Sequence, residues 1–251
     1  MKPISLQLYT LREDSQKDFK KVLEQVAAIG FKGVEPAGLY DMTPREFRTH
    51  VNDLGMIVSS SHGPWASPDN LQEVIDTAGE LGTELVSSGF GADAFSSMDA
   101  IKKTADMVNG MYETLAKSGL TLFLHNHWWE FEEIEGDLAF RHLAKLSPGV
   151  QFEIDTYWAA NFGKVDPIAI VKEYAGRAPL LHIKDGPLVK EELQLPLGRG
   201  KMDVPAVIAA ADPAVLQWLV VELDNFGGKM LSAVEESYNY LINNGLGMGR
   251  N

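Results

Sequence analysis

Short apolar, β-branched runs alternate with longer amphipathic stretches along the whole chain. The short runs are "ISLQLYT", "FKGVEP", "MIVSSSH", "ELVSSGF", "LTLFLHNH", "VQFEIDTYW", "LLHIKD" and "WLVVELD". Between them lie segments of helical period, among them "SQKDFKKVLEQVAAIG", "TPREFRTHVNDLG", "DNLQEVIDTAGELG", "SSMDAIKKTADMVNGMYETLAKSG", "DPIAIVKEYAG" and "MLSAVEESYNYLINNG". Several begin near Ser, Thr or Asp and stop at Gly, the residues that satisfy or release the free backbone groups at helix ends. Strands regularly separated by helices predict right-handed βαβ units and a parallel sheet. Eight such units in 251 residues is the count of a (β/α)8 (TIM) barrel. A doubly wound open sheet would carry a glycine-rich turn after its first strand, and "YTLREDS" is not one. No linker, low-complexity tract or tandem repeat interrupts the pattern, so residues 1–251 are expected to form a single α/β domain.

Composition narrows the chemistry. The chain has no cysteine, which removes disulfides, thiolate-held zinc, iron–sulfur clusters and thiol nucleophiles together. The formal net charge of −13 leaves no basic footprint for nucleic acid. "MKPISLQLYT" lacks the basic and long apolar regions of a signal peptide, and no apolar run approaches the roughly 20 residues of a membrane helix. A cytoplasmic protein without membrane or nucleic-acid partners is the expectation.

Strands of a parallel sheet are buried on both faces and normally read as unbroken apolar runs. Several here end on polar residues instead: His125 and His127 in "LFLHNH", Asp155 in "FEID", His182 and Lys184 in "LLHIKD", Glu222 and Asp224 in "VVELD". In a (β/α)8 barrel the C-terminal ends of the strands carry the active site. Alternation puts His125 on one face with His127, Glu153 with Asp155, and His182 with Lys184. If these faces point inward, His125, Asp155, His182 and Glu222 converge at the barrel mouth. Taken alone, a strand histidine is ordinarily a hydrogen-bonded core residue, and a strand-end carboxylate ordinarily caps the next helix. Four late strands ending in such residues together point to one divalent ion held by imidazole and carboxylate, of the class Mn²⁺, Zn²⁺, Co²⁺, Fe²⁺ or Ni²⁺.

"LHNHWWEF", "FEIDTYWAANFGKVDPIAIVKEYAGRAPLLHIKD" and "VVELDNF" resemble the sugar phosphate isomerase/epimerase family of the xylose isomerase-like barrel superfamily. "SLQLYTLRED", "GFKGVEPAGLYDM" and "LGRGKMDVPAVI" extend the likeness over nearly the whole chain. The resemblance implies that Asp155, His182 and Glu222 are metal ligands. The fourth family ligand is usually a glutamate ending the fifth strand; His125 stands there, with His127 as the alternative. Where endonuclease IV and its kin place a further metal-binding histidine, this chain has Trp158, which argues against a multi-metal cluster and DNA repair. The missing fifth-strand glutamate also breaks the two-glutamate proton shuttle of ketose epimerases. Glu222 would act as one acid or base, and His127, Glu130, Glu153 or Lys184 as the other.

A divalent ion polarising the carbonyl of a keto-sugar stabilises the enediolate formed when a neighbouring C–H proton leaves. Re-protonation gives epimerisation or isomerisation; expulsion of a β leaving group gives a carbon–oxygen lyase, as on a 3-keto-glycoside or inosose. The expected substrate is a small carbohydrate or polyol. Trp128, Trp129, Tyr157 and Trp158 cluster beside the ligands and suit the C–H faces of sugars, or else pack the rim. His62 and Glu35 fall at positions that line the pocket in the resembled family. Lys184 either neutralises the enediolate or pairs with Glu153 or Asp155. Arg199 lies in the loop after strand seven, where barrels often bind phosphate, but one loop arginine does not establish a phosphorylated substrate. A non-catalytic sugar-binding barrel is the reading left if the metal is absent, and homo-oligomerisation is an expectation from the resemblance alone.

Overall fold

The computed structural model describes residues 1–250. Eight parallel strands run in barrel order: β1 (Lys2–Gln7), β2 (Gly33–Glu35), β3 (Ile57–Val58), β4 (Leu85–Ser88), β5 (Thr121–His125), β6 (Gln151–Asp155), β7 (Leu180–Ile183) and β8 (Trp218–Val221). The hydrogen-bonded path is β3-β2-β1-β8-β7-β6-β5-β4. A parallel bridge between Ser61 and Val86 joins the two ends and closes the ring. Helices α1 (Arg12–Ile29), α2 (Pro44–Asp53), α3 (Leu71–Leu81), α4 (Met98–Lys117), α5 (Ala139–Leu146), α6 (Thr156–Ala159), α7 (Pro167–Glu173), α8 (Val204–Ala210) and α9 (Met230–Asn243) lie in the crossovers. Among the described residues no helix is long and apolar enough to cross a membrane.

The period-2 alternation of each strand divides the core in two. Ile4, Leu6, Val34, Leu122, Phe152, Ile154, Leu181, Ile183, Leu219 and Val221 belong to the large cluster shared with the helices. The opposite parity supplies a small separate cluster of Leu85, Phe123, Leu180, Trp218 and Val220, the packed interior of the barrel. Gly33 makes room for it: a Cβ there would meet the Trp218 ring at 2.8 Å. Moving along the same parity toward the C-terminal ends, apolar residues give way to Gln7, Glu35, His125, Glu153, Asp155, His182 and Glu222. The barrel lumen is therefore oily at one end and charged at the other.

Three helices fall outside the segments picked out by hydrophobic period. α5, α6 and α8 have only 8, 4 and 7 residues. A two-stranded hairpin, Glu133–Ile134 with Asp137–Leu138, also precedes α5.

Arg177 fixes the approach to β6, the strand that carries Glu153 and Asp155. Its guanidinium donates to the carbonyls of Ala144, Ser147 and Val150 at 2.6–3.0 Å and lies over the Phe152 ring, 4.6 Å from its centroid. A lysine has neither the fork nor the plane to reproduce this. Arg177→Lys is expected to cost about 1–3 kcal/mol, seen as a fall in Tm of about 2–4 °C for each kcal/mol lost; an unchanged melting curve would show that the clamp contributes nothing.

Candidate functional site

The charged end of the lumen gathers side chains from seven strands. His182 is central and fully buried. Its Nδ1 lies 2.7 Å from Glu222 Oε2, and its Nε2 lies 2.8 Å from Glu35 Oε1 and 3.0 Å from Glu153 Oε1. Glu153, also without exposure, sits among three imidazoles: Oε2 contacts His62 Nε2 and lies 3.1 Å from His125 Nδ1. Glu35 accepts from Gln7 Nε2 and Ser60 Oγ. Lys184, 1% exposed, places Nζ 2.8 Å from Asp155 Oδ2, 2.7 Å from Glu222 Oε2 and 2.8 Å from Asp224 Oδ2. Of its two anticipated ion-pair partners, Asp155 is therefore present and Glu153 is not.

Asn126 holds two of these strands together. Its Nδ2 donates to the Asp155 carbonyl and its Oδ1 accepts from Asp155 N–H, both at 3.1 Å. The amide thus continues the β5–β6 ladder one step past the backbone pairing, which ends at His125 opposite Glu153. Asp155 Oδ1 in turn accepts from Trp158 N–H at 2.9 Å and caps α6, so the capping role weighed from the sequence is real. It uses only one of the two oxygens.

Burial and mutual contact set the ionisation of the cluster. Burial alone would depress His182, but Glu153, Glu222 and Glu35 hold its pKa well above the ordinary histidine range. His62 is raised in the same way, Glu35 and Glu153 overcoming burial. His125 is lowered well below the usual value by burial, with His182 and His62 repelling added charge. Burial raises Asp155 to about 6 despite Lys184. Glu222 resists burial because Lys184 and His182 hold it well below the carboxylate norm. Burial, then Lys184, lowers His127 to about 4.

The donor set suits a divalent ion. His125, Asp155, His182 and Glu222 each offer one atom, all within 4.8 Å of one another, and the same holds for His62, His125, Glu153 and His182. First-row metals take such nitrogens and oxygens at about 2.0–2.2 Å, which needs only modest contraction. Asp155 Oδ2 and Glu153 Oε1 are buried without a hydrogen bond, the nearby Lys184 and His182 nitrogens being poorly aligned. Both groups include His125, and neither includes His127.

A family profile for the xylose isomerase-like TIM barrel matches residues 23–243. The chain belongs to that family. A sugar phosphate isomerase/epimerase from Parabacteroides distasonis superposes with TM-score 0.79 at 25% identity, covering 96% of this chain and 93% of the other. A probable 3-DHS dehydratase from Bacillus anthracis gives 0.74 at 14% identity, over 97% and 99%. A xylose isomerase-like TIM barrel protein from Mycobacterium smegmatis, in complex with magnesium, gives 0.69 at 18%, over 97% and 96%. Comparison with curated proteins found no match.

Within this family barrel the remaining expected residues divide. His62, His127, Trp158, His125 and Glu222 line a mouth cavity of about 310 Å³, together with Tyr9, Trp65 and Asp224. Glu35, Glu153 and Lys184 lie behind that lining. Trp128 is outside it, 5.6 Å from the Phe162 ring, which itself lies 6.1 Å from Trp158. Arg199 is not brought to the cluster; its side chain is 67% exposed and pairs with Glu236 on α9. Gln7 and Trp65 join the site without having been singled out, and Asp224, noted from the sequence only as a strand-end carboxylate, joins them. Gln7 interrupts β1 at an inward position, the same signal that marks His182.

Glu130 is buried beside this site, accepting from His127 N–H at 3.0 Å. Desolvation pushes its pKa up to about 8. Its folded value lies above its unfolded value, so the stability tied to its proton is full below about pH 4.5 and is lost as pH rises through 8. Glu130→Gln, uncharged at every pH, is expected to gain Tm over the parent between pH 7 and 9, by about 2–4 °C per kcal/mol recovered, and to gain nothing near pH 4. Parallel Tm–pH curves for the two proteins would refute the assignment.

Proposed function

We propose that this protein is a divalent-metal-dependent isomerase or epimerase of a sugar, keto-sugar or polyol derivative, acting through an enediolate. The observation that carries the reading is the convergence of His125, Asp155, His182 and Glu222, from four successive barrel strands, on one point at the mouth. A bound Mn²⁺, Zn²⁺, Co²⁺, Fe²⁺ or Ni²⁺ would supply Lewis-acid polarisation of the substrate carbonyl. The likeness to a sugar phosphate isomerase/epimerase supports the reaction class.

The chain's own groups then divide the work. Glu222 faces the cavity and is held ionised by Lys184 and His182, so it is ready at neutral pH to take a C–H proton. His127 lines the same cavity as a neutral imidazole, stacked 4.2 Å from Trp129, and serves as the second proton carrier. Lys184 forms an ion pair with Glu222 at 2.7 Å and steadies negative charge beside it. Glu153 orients His62, His125 and His182 rather than touching substrate. Tyr9, Trp65 and Trp158 offer ring faces to the sugar.

A second reading is favoured by one feature. Position 125 is a histidine, so no second cavity carboxylate stands where a two-glutamate epimerase needs one, and a lyase that expels a β leaving group after the same proton abstraction requires only one base. The dehydratase likeness agrees with it.

Metal content by plasma mass spectrometry should give about one divalent ion per chain, lost in His182→Ala. Metal-loaded protein should exchange a substrate C–H for solvent deuterium, and Glu222→Gln should slow that exchange by about 10²–10⁴-fold. No bound metal after reconstitution would sink the mechanism and leave a sugar-binding barrel.

A further inference from the structure

His62, His125 and His182 gather in the lumen around one carboxylate. Their ring centroids lie 4.9 Å apart for His62 and His125, 4.8 Å for His125 and His182, and 5.2 Å for His62 and His182. The carboxylate is Glu153, which is fully buried. Its Oε2 contacts His62 Nε2 and lies 3.1 Å from His125 Nδ1. Its Oε1 lies 3.0 Å from His182 Nε2 and makes no hydrogen bond among the described residues. One atom from each of the four falls within 4.8 Å of the others, a set of three nitrogens and one oxygen. Glu35 adds charge beside them, its two oxygens accepting from Gln7 and Ser60. Ionised carboxylates buried this way are costly unless matched, and one divalent cation would match Glu35 and Glu153 together.

This inner group shares His125 and His182 with the outer group of Asp155 and Glu222. The single ring of His182 serves both, with Nδ1 toward Glu222 and Nε2 toward Glu153. Because two ligands are shared, the groups are alternative positions for one ion and not a two-metal cluster. Their remaining donors differ in kind. The outer pair is two carboxylates, one of which, Glu222, lines the cavity. The inner pair is an imidazole and Glu153, which lies behind the lining. Imidazole-rich sets suit zinc, whereas carboxylate-rich sets suit manganese and magnesium. Four protein donors complete tetrahedral zinc and leave no position for a substrate. Six-coordinate manganese on the outer four would keep positions open toward the cavity.

We propose that the lumen sorts metals by depth: His62, His125, Glu153 and His182 form a closed inner site that takes Zn²⁺, in competition with the outer site, which takes Mn²⁺. Zinc held there is inert and keeps the outer position from filling. The contrast with manganese rests on the isomerase reading, whose ion is the outer one; the zinc site does not.

X-ray absorption at the zinc edge, on the parent protein loaded with zinc alone, counts the imidazoles around the ion. Chelator competition then gives zinc and manganese Kd values for the parent, His62→Gln and Asp155→Asn. Glutamine at 62 keeps a donor for Glu153 while removing the imidazole. Expected are three imidazoles on zinc, and a zinc Kd weakened about 100-fold or more by His62→Gln but less than about threefold by Asp155→Asn, with manganese showing the reverse. Two imidazoles on zinc, or both ions weakened alike by each variant, would place them at one position and overturn the proposal while leaving the isomerase reading intact. Zinc on three imidazoles in a protein that binds no manganese at about 1 mM would uphold the inner site and count against manganese as the ion of the isomerase reading. Failure of both ions to bind would overturn the two together.

Discussion

Glu35, Glu153 and Asp155 have no contact with solvent, yet they stand within one barrel lumen. An ionised carboxylate moved out of water costs several kcal/mol unless donors meet it, and this constraint organises the surroundings. Gln7 and Ser60 supply Glu35, three imidazoles surround Glu153, and Lys184 lies against Asp155. These partners come from β1, β5 and β7 and from the segment that follows β3, so the charge balance of the site and the register of the sheet are the same fact seen twice.

Within that balance the carboxylates separate by depth. Glu222 reaches the cavity; Glu153, on the same parity but one strand pair away, is walled off by the imidazoles it orients. Groups that fix the orientation and tautomer of a ligand tune it as much as the ligand's own identity does. As a ligand of the proposed metal site His182 would be held in this way, with one ring nitrogen toward Glu222 and the other toward Glu35 and Glu153.

Much of this was legible in the sequence. A polar residue ending an apolar run in a βα-alternating chain marks the inner end of a barrel strand, and that rule reaches His125, Asp155, His182 and Glu222 without coordinates. The rule fails where function depends on partners distant in sequence. Arg199 has the right composition around it for a phosphate loop, but its direction is set by Glu236, 37 residues on. Asp185 reads as one more strand-end carboxylate until the loop is seen folded back onto it. Trp128 and Trp158 look equivalent in "HWWEF" and "DTYWAA", and only the cavity separates them. Short helices such as α8 are stabilised by packing and caps rather than by a periodic stripe, so pattern alone passes over them.

The ring is unevenly sewn. β5 to β8 are joined by ladders of three or four residue pairs, whereas β3 meets β4 through the single bridge at Ser61 and Val86 and the amide bonds around it. Opening fluctuations in a protein start where the fewest buried bonds must break, so breathing of this barrel begins at that seam. His62 immediately follows Ser61, and its contact with Glu153 on β6 ties the seam back to the firmly stitched half, where His125, Asp155, His182 and Glu222 stand. The stretch of ring with the fewest backbone bonds is thus spanned from within by a buried imidazole and a carboxylate.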